Sequence, residues 1–304
     1  MIYTCTLNPS IDYVMKVPDF QTGTLNRGET TFFYPGGKGI NVSRVLKRLE
    51  IKNTALGFIG GFTGEFIKGT LKEERVNVDF IEVSDTTRIN MKVKSDQETE
   101  INGPGPSVSP EQLEQLYSQI QNLKKGDILV ASGSIPQTVP TDFYVNIANV
   151  CEANGVQMVA DTSSNALKKL LGTKLLLVKP NHHELGELFD VTIQTFEDAI
   201  MYGQKLHQKG AEHVLVSMGG DGAVYITRDG SYIAEAPKGT VQNTVGAGDS
   251  MVAGFLSAYA AGKTSDEIFK QAVATGSATA FAADLCTKND IEALLSKVEL
   301  RTHK

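Results

Sequence analysis

Apolar positions along this chain change their period several times, and each change predicts an element. Ile2–Leu7 is apolar and β-branched and predicts a strand, broken by Asn8-Pro9-Ser10. Ile11–Val17 and Thr30–Tyr34 predict two more strands. After the turn Pro35-Gly36-Gly37-Lys38-Gly39 the spacing becomes helical: Ile40, Val42, Val45, Leu46 and Leu49 predict a helix over 40–49. Thr54–Ile59 predicts a short strand ending at Gly60-Gly61, and 64–74 a second helix.

At Arg88 the period falls to two. Ile89, Met91 and Val93 alternate with Asn90, Lys92 and Lys94, the pattern of a strand with one wet face. Ser95-Asp96-Gln97 turns the chain, and 98–101 returns as a hairpin. Such a hairpin fits poorly as a core strand of a parallel sheet. With 11–17 and 30–34 it predicts a small separate sheet, such as a lid.

From Ser109 helices and strands alternate. Helices over 110–123, 142–154, 166–171 and 196–209 lead to strands over 128–131, 157–161, 175–178 and 213–217. This rhythm predicts an α/β fold with a mostly parallel sheet covered by helices. Ala223–Ile226 and Tyr232–Ala234 predict a late antiparallel hairpin, and 266–300 mostly helix. Several predicted strands end in small or polar residues, namely Ser132-Gly133-Ser134, Asp161, Lys179-Pro180-Asn181 and Ser217. Ligands of open α/β sheets sit at such carboxyl ends.

Composition narrows the function classes. A length of 304 residues suffices for one large domain with a small appendage. The net charge of −6 argues against nucleic-acid or anionic-membrane partners while leaving room for a local basic pocket. Cys5, Cys151 and Cys286 lie far apart with no CxxC pair, which fits a reducing compartment and offers no zinc or disulfide signature. No basic segment followed by an apolar core opens the sequence, and the longest apolar run, 251–261, is too short to span a bilayer. A cytoplasmic location is expected.

The stretch that carries most chemistry is Asn243-Thr244-Val245-Gly246-Ala247-Gly248-Asp249-Ser250. It reads as a glycine turn opening a helix. The first amides of a helix lack internal partners and carry partial positive charge, so they suit an anion such as a phosphate. Asp249 would repel that anion unless it has a separate task. Taking a proton from a hydroxyl that attacks phosphorus is one such task. Asp249 or Ser250 simply capping the helix is the other reading. The chain has neither G-x-x-x-x-G-K-[ST] nor G-x-G-x-x-G, so phosphate chemistry needs another architecture.

Further constellations each have two readings. Gly36, Gly37 and Lys38 before a helix are either a plain turn or a seat for a sugar or its phosphate, with Asn41 reaching back; Asp12 is either a turn residue or an acceptor for sugar hydroxyls. Arg88 is either a surface charge or a forked donor for a phosphate monoester. In Lys179-Pro180-Asn181-His182-His183-Glu184 the histidines lack a zinc spacing, whereas Asn181 and Glu184, three apart, could hold Mg²⁺ through water. Ser217-Met218-Gly219-Gly220-Asp221-Gly222 is either a tight β-connection or a backbone contact for a nucleotide.

With these four motifs in this order, the chain resembles the ribokinase-like (phosphofructokinase-B) sugar kinases over nearly its whole length. The resemblance implies a large α/β domain over 1–10, 35–86 and 104–304, and a small β lid over 11–34 and 87–103. It implies an ATP-dependent kinase with Asp249 as general base and the amides of Gly246, Ala247 and Gly248 as an anion hole. Ser217 through Gly222 and Thr244 would border ATP, Lys179 would reach its phosphates, and Asn181 and Glu184 would organise Mg²⁺. Asp12, Gly36, Gly37, Lys38 and Asn41 would hold the sugar. Arg88 would hold its phosphate, with Arg27, Asn90 and Ser134 as further candidates. A homodimer through the lid is implied. Segments 87–92 and 99–102 look most like members that act on fructose 1-phosphate; action on tagatose 6-phosphate or fructose 6-phosphate is the alternative. A silent sugar-phosphate sensor is a third reading. Leu25 stands where some relatives carry a basic substrate-binding residue, leaving Arg27 as the nearby cation.

Overall fold

A computed structural model describes residues 1–303. In chain order the elements are β1 (Ile2–Thr6), β2 (Ser10–Lys16), β3 (Thr30–Gly36), α1 (Lys38–Arg48), β4 (Asn53–Ile59), α2 (Gly61–Glu73), β5 (Asn77–Glu82), β6 (Arg88–Lys94) and β7 (Thr99–Asn102). There follow α3 (Pro110–Gln121), β8 (Ile128–Gly133), α4 (Phe143–Asn154), β9 (Gln157–Thr162), α5 (Ser164–Leu170), β10 (Leu175–Val178), α6 (His182–Phe189) and α7 (Phe196–Gln208). The chain ends with β11 (Ala211–Ser217), β12 (Gly222–Thr227), β13 (Gly230–Glu235), α8 (Ala247–Ala260), α9 (Ser265–Ala280), α10 (Lys288–Leu295) and β14 (Leu300–His303).

The large sheet runs β14-β13-β12-β11-β10-β9-β8-β1-β4-β5. It is parallel from β11 to β5 and antiparallel from β11 to β14. Strands β8 and β10 in its middle read as apolar runs, Ile128–Ala131 and Leu175–Val178, because both faces are covered. In β8, Leu129 and Ala131 enter one core with α3–α7, while Ile128 and Val130 enter the other with α1, α8, α9 and α10. The α/β class with helices on both faces is therefore as the sequence pattern predicts.

The register of the parallel strands aligns their polar ends. Thr6 pairs with Ser132, Ser132 with Asp161, and Val178 with Ala160, which sets Lys179 beside Asp161. The second sheet runs β3-β2-β6-β7 and is mixed: β2 is antiparallel to β3 but parallel to β6. Its strands are those predicted for the separate small sheet.

Three elements escape the sequence pattern. β5 is a half-exposed edge strand whose short alternation follows a helix too closely to stand out. α6 lies within the motif segment after β10. β14 replaces the end of the expected terminal helix, because β13 leaves an open edge for it to pair with. The wet face of β6 also turns out to point inward: Asn90 and Lys92 are buried, whereas Ile89 is 40% exposed. Polar partners across the interior meet part of that face.

Candidate active site

Gly246, with φ 77°, is the N-cap of α8, and no side chain caps this helix. Glycine takes that left-handed backbone without strain. Asp249, in the first turn, makes no capping bond to the helix amides and accepts from the Asn41 amide at 2.8 Å. Ser250 is buried and its hydroxyl accepts from Thr279 at 2.7 Å. Capping is thus not the task of either residue. The Ala247 amide donates to the Thr244 carbonyl at 3.2 Å, while those of Gly248 and Asp249 find no acceptor among the described residues. The helix start therefore offers an anion two free amides.

Two lysines and a second carboxylate complete the charge pattern. Lys38, at the start of α1, donates to Asp161 Oδ1 at 2.8 Å and lies 3.8 Å from Glu184 Oε1. Lys179 Nζ lies 3.5 Å from the same Asp161 oxygen. A Cβ on Gly248 would come within 3.0 Å of Lys179 Nζ, so the ammonium stands directly over the turn. Asp161 Oδ2 is buried and unpartnered. In the sequence Asp161 stands only at a predicted strand end; nothing local marks it as the hub of this cluster.

Burial raises the Asp249 pKa and the nearby Asp161 charge adds to it; Lys38, Asn41 and Lys179 pull back, leaving it at about 6. Burial alone would also raise Asp161, but Lys179 and Lys38 outweigh it and hold that carboxyl below its ordinary range. For Lys38, burial opposes the charge, and Asp161, Asp249 and Glu184 overcome it, raising its pKa. One carboxylate is thereby fixed as an anion, and the other is tuned toward neutrality.

On one side of the turn opens a cavity of about 660 Å³. Asn181, Ser217, Gly219, Gly220, Gly222, Thr244, Ala247 and Gly248 line it. Gly219 and Gly220 have open space where a side chain would stand. Met218 buries its side chain in the core, and Met218 and Asp221 line a neighbouring pocket instead. The opposite wall, including Val241, Val273, Ala280 and Phe281, is apolar and carries no motif by which the sequence could have revealed it. Asn181 and Ser217, 36 positions apart in the sequence, pair as an isolated parallel bridge, which brings their two motifs together.

Asn181 and Glu184 form a reciprocal cap on α6: the Glu184 amide donates to Asn181 Oδ1 at 2.8 Å, and the Asn181 amide to Glu184 Oε2 at 2.9 Å. Glu184 Oε1 is left toward Lys38. Among the described residues no three acid, histidine or cysteine side chains gather as a metal cluster. One free carboxylate oxygen fits an ion that keeps most of its waters, as Mg²⁺ does.

On the other side of the turn lies the small sheet. Asp12 is buried, accepts from Ser10 Oγ at 2.8 Å and from Asn90 at 3.4 Å, and sits 3.9 Å from Lys92 Nζ. Any side chain on Gly36 would collide with the Asp12 carboxylate. Gly37, with φ 108°, turns the chain into α1. Arg88 donates to the Asn8 carbonyl at 3.1 Å, but its Nε is buried without a partner, as is Asn90 Oδ1. Asn8 in turn donates to Ser134 Oγ at 3.2 Å. Arg88, Asn90 and Ser134 thus join one polar cluster with spare donors and acceptors.

Arg27 does not join it. It stands exposed on the β2–β3 connection beyond the pair Lys16–Thr30, about 13 Å of strand from Asp12. Lys92 joins although it was not singled out; its place two residues from Asn90 on a period-two strand was the available signal.

The model of the pfkB family carbohydrate kinases matches residues 5–291. The chain is 51% identical to the 1-phosphofructokinase of Bacillus subtilis over 99% of both chains. It is 38% identical to the D-tagatose-1-phosphate kinase of Bacillus licheniformis over the full length of both. The crystal structure of Escherichia coli phosphofructokinase-2 in complex with substrates and products superposes with a TM-score of 0.93 at 32% identity, covering 97% of this chain and 98% of that one.

Proposed function

The chain belongs to the pfkB family of carbohydrate kinases, with ATP as co-substrate and a sugar phosphate as acceptor, and from that premise we propose that it converts fructose 1-phosphate and ATP to fructose 1,6-bisphosphate and ADP. The observation that carries the reading is the Asp249 carboxylate, buried beside two free helix amides and two lysines. The choice of a 1-phosphate rests on the two relatives named for action on 1-phosphates.

In this mechanism the substrate hydroxyl lies between Asp249 and the γ-phosphorus of ATP. Its oxygen bonds to phosphorus, the bond from that phosphorus to the β,γ-bridging oxygen breaks, and ADP leaves with the electron pair. The hydroxyl proton passes to Asp249. Phosphoryl transfer is loose and depends mainly on position and charge. The hydroxyl grows acidic as its bond to phosphorus forms, so a carboxylate with a pKa of about 6 suffices as base. Asn41 aims that carboxylate. The free amides of Gly248 and Asp249 donate to the transferring group, with Lys179 above them. Lys38 and Asp161 hold each other in place at the edge. Mg²⁺ would be held through water by Glu184 and Asn181, and would offset phosphate charge.

The 660 Å³ cavity receives ATP against Ser217, Gly219, Gly220 and Gly222 of the Ser217–Gly222 loop and against Thr244. Asp12, Gly36, Gly37, Lys38 and Asn41 hold the sugar, and Arg88 with Asn90 and Ser134 its phosphate. Segments 11–34 and 87–103 act as a lid over the rest of the chain. The outer lid face pairs with a second copy. No helix among the described residues is long and apolar enough to cross a membrane, and we place the enzyme in the cytoplasm.

A second reading has a specific support: the relative named for tagatose 1-phosphate covers the whole chain. Tagatose and fructose differ at one hydroxyl. Coupled ADP release with the 1- and 6-phosphates of both sugars tests the proposal. Fructose 1-phosphate should give the highest kcat/KM. A higher value for tagatose 1-phosphate favours the second reading, preference for either 6-phosphate overturns both, and absence of any turnover leaves only a sensor.

A further inference from the structure

Helix α1 turns one polar stripe toward the catalytic turn. Asn41, Arg44 and Arg48 are spaced three and four residues apart and share a face. Asn41 holds Asp249. Arg44 is 3% exposed, and its guanidinium is gripped from two sides. Nε donates to Glu74 at 2.9 Å and Nη2 to the same carboxylate at 2.7 Å. Nη1 and Nη2 also donate to Asp284 at 3.2 and 2.7 Å. Arg48 reinforces this, donating to Asp284 at 3.0 Å and to the carbonyls of Leu285 and Cys286.

These contacts fix the segment 284–286, and that segment is the floor of the turn. A Cβ built on Gly246 would come 2.7 Å from Leu285 Cδ2. α1 therefore holds the base directly through Asn41 and supports the free amides from below through Arg44, Asp284 and Leu285. Stability alone is a weak reason for such an arrangement. A buried ion pair loses in desolvation much of what it gains in attraction, and packed apolar residues would serve as well. What a forked arginine between two carboxylates adds is a fixed direction.

We infer that Arg44 is a positioning residue for phosphoryl transfer, setting the height of the Gly246 turn through Asp284 and Leu285. The inference rests on the kinase reading above. A displacement of about 1 Å is enough to matter, since misplacement on that scale can cost about 100-fold in rate.

The test compares Arg44→Lys, which keeps the charge and loses the fork, with Leu285→Ala and with the double variant. Arg44→Lys should lower kcat by roughly 10- to 100-fold while both KM values stay within about 3-fold. Circular dichroism and a cooperative melt establish that the variant is folded. Leu285→Ala should also lower kcat, and the double variant should be no slower than the slower single variant, because both act on one contact. A folded Arg44→Lys enzyme with wild-type kcat overturns the inference, and so do effects that multiply in the double variant. Should Arg44→Lys not fold, Asp284→Asn reads the same contact from the other partner: a loss confined to kcat supports the inference, and an unchanged kcat overturns it. Failure of the kinase reading would show beforehand, as a wild-type chain without turnover on any sugar phosphate.

Discussion

The Asn41 side-chain amide donates to the Asp249 carboxylate at 2.8 Å, joining the first helix of the chain to the glycine turn 208 residues later. This contact ties the wall of the proposed sugar site to the carboxylate proposed to accept the proton. It leaves one carboxylate oxygen for substrate and prevents the side chain from folding back onto the helix amides. Asp249→Asn keeps the shape and the contact but removes the base. Its kcat should fall by at least about 100-fold with both KM values within a few-fold of wild type. Steady-state kinetics on the purified variant decide this, and a near-normal kcat would remove Asp249 from the mechanism.

The same burial sets a pH dependence. Asp249 titrates at about 6, chiefly because burial disfavours its charge and then because Asp161 is close. The base works only when ionised, so kcat/KM should rise through about pH 6 and level off above it. Asp161→Asn removes a negative neighbour and leaves Lys38 and Lys179 unopposed. Both changes favour the Asp249 anion, so the rise should move to lower pH. A profile whose acid limb stays in place in that variant would show that Asp161 does not tune the base.

Asp249 also weakens the fold. Its pKa is raised from 3.8 to about 6, so the folded state holds the proton more tightly than the unfolded chain does. The proton-linked stability is full below the unfolded value and is lost as pH rises through about 6. Above that, Asp249→Asn should be more stable than wild type by roughly 3 kcal/mol, an order-of-magnitude figure from the size of the shift. Denaturant melts near pH 8 and near pH 4 test it. The advantage should be present at the first and absent at the second; an equal advantage at both would place its origin elsewhere.

Arg88 offers a charge that burial works against, eased in part by Asp12. Its Nε is buried without a partner. A buried donor left unpaired is costly, and a phosphate oxygen would satisfy it. Arg88→Ala should raise KM for the sugar phosphate by about 10- to 100-fold, the worth of a hydrogen bond to a charged group, and leave KM for ATP within about 2-fold. An effect on ATP alone would assign Arg88 to the other side of the turn.

What could be read from the sequence divides along the range of the interactions. The glycine turns at 36–39, 219–222 and 246–248 were legible because the backbone needs them locally. Apart from α6, the helices and strands from 109 to 217 were legible because each is a periodic segment with its own boundaries. Asp161 was not, because its importance comes from Lys38, 123 residues away, and from Lys179 across a strand register. Arg44 was hidden for the same reason, with Asp284 lying 240 residues downstream. For β6 the period revealed two faces but not which one points inward. That depended on Ser10, Asp12 and Asn243 lying opposite to receive Asn90, Lys92 and Lys94.

The inverted face of β6 leads to the last prediction. With its polar residues turned in, the small sheet shows solvent an apolar outer side. Tyr13 pairs with Phe33 on one flank and with Met91 on the other, and Met91 pairs with Ile101, so these four share that side. Phe33 is 54% exposed and Ile101 57%, and Phe33 stacks on Tyr13 with centroids 4.6 Å apart. α2 covers only part of this surface, through Phe66 against Phe33. A contiguous apolar patch on an otherwise charged protein marks an interaction site, and the sheet that bears it also carries Asp12, Asn90 and Arg88 on its inner side. A second copy seated there would stiffen the strands that hold the sugar phosphate. Phe33→Glu should therefore convert a dimer to a monomer in sedimentation velocity, and should raise KM for the sugar phosphate more than KM for ATP. If the wild-type chain sediments as a monomer, or if Phe33→Glu remains dimeric, the lid is not the interface.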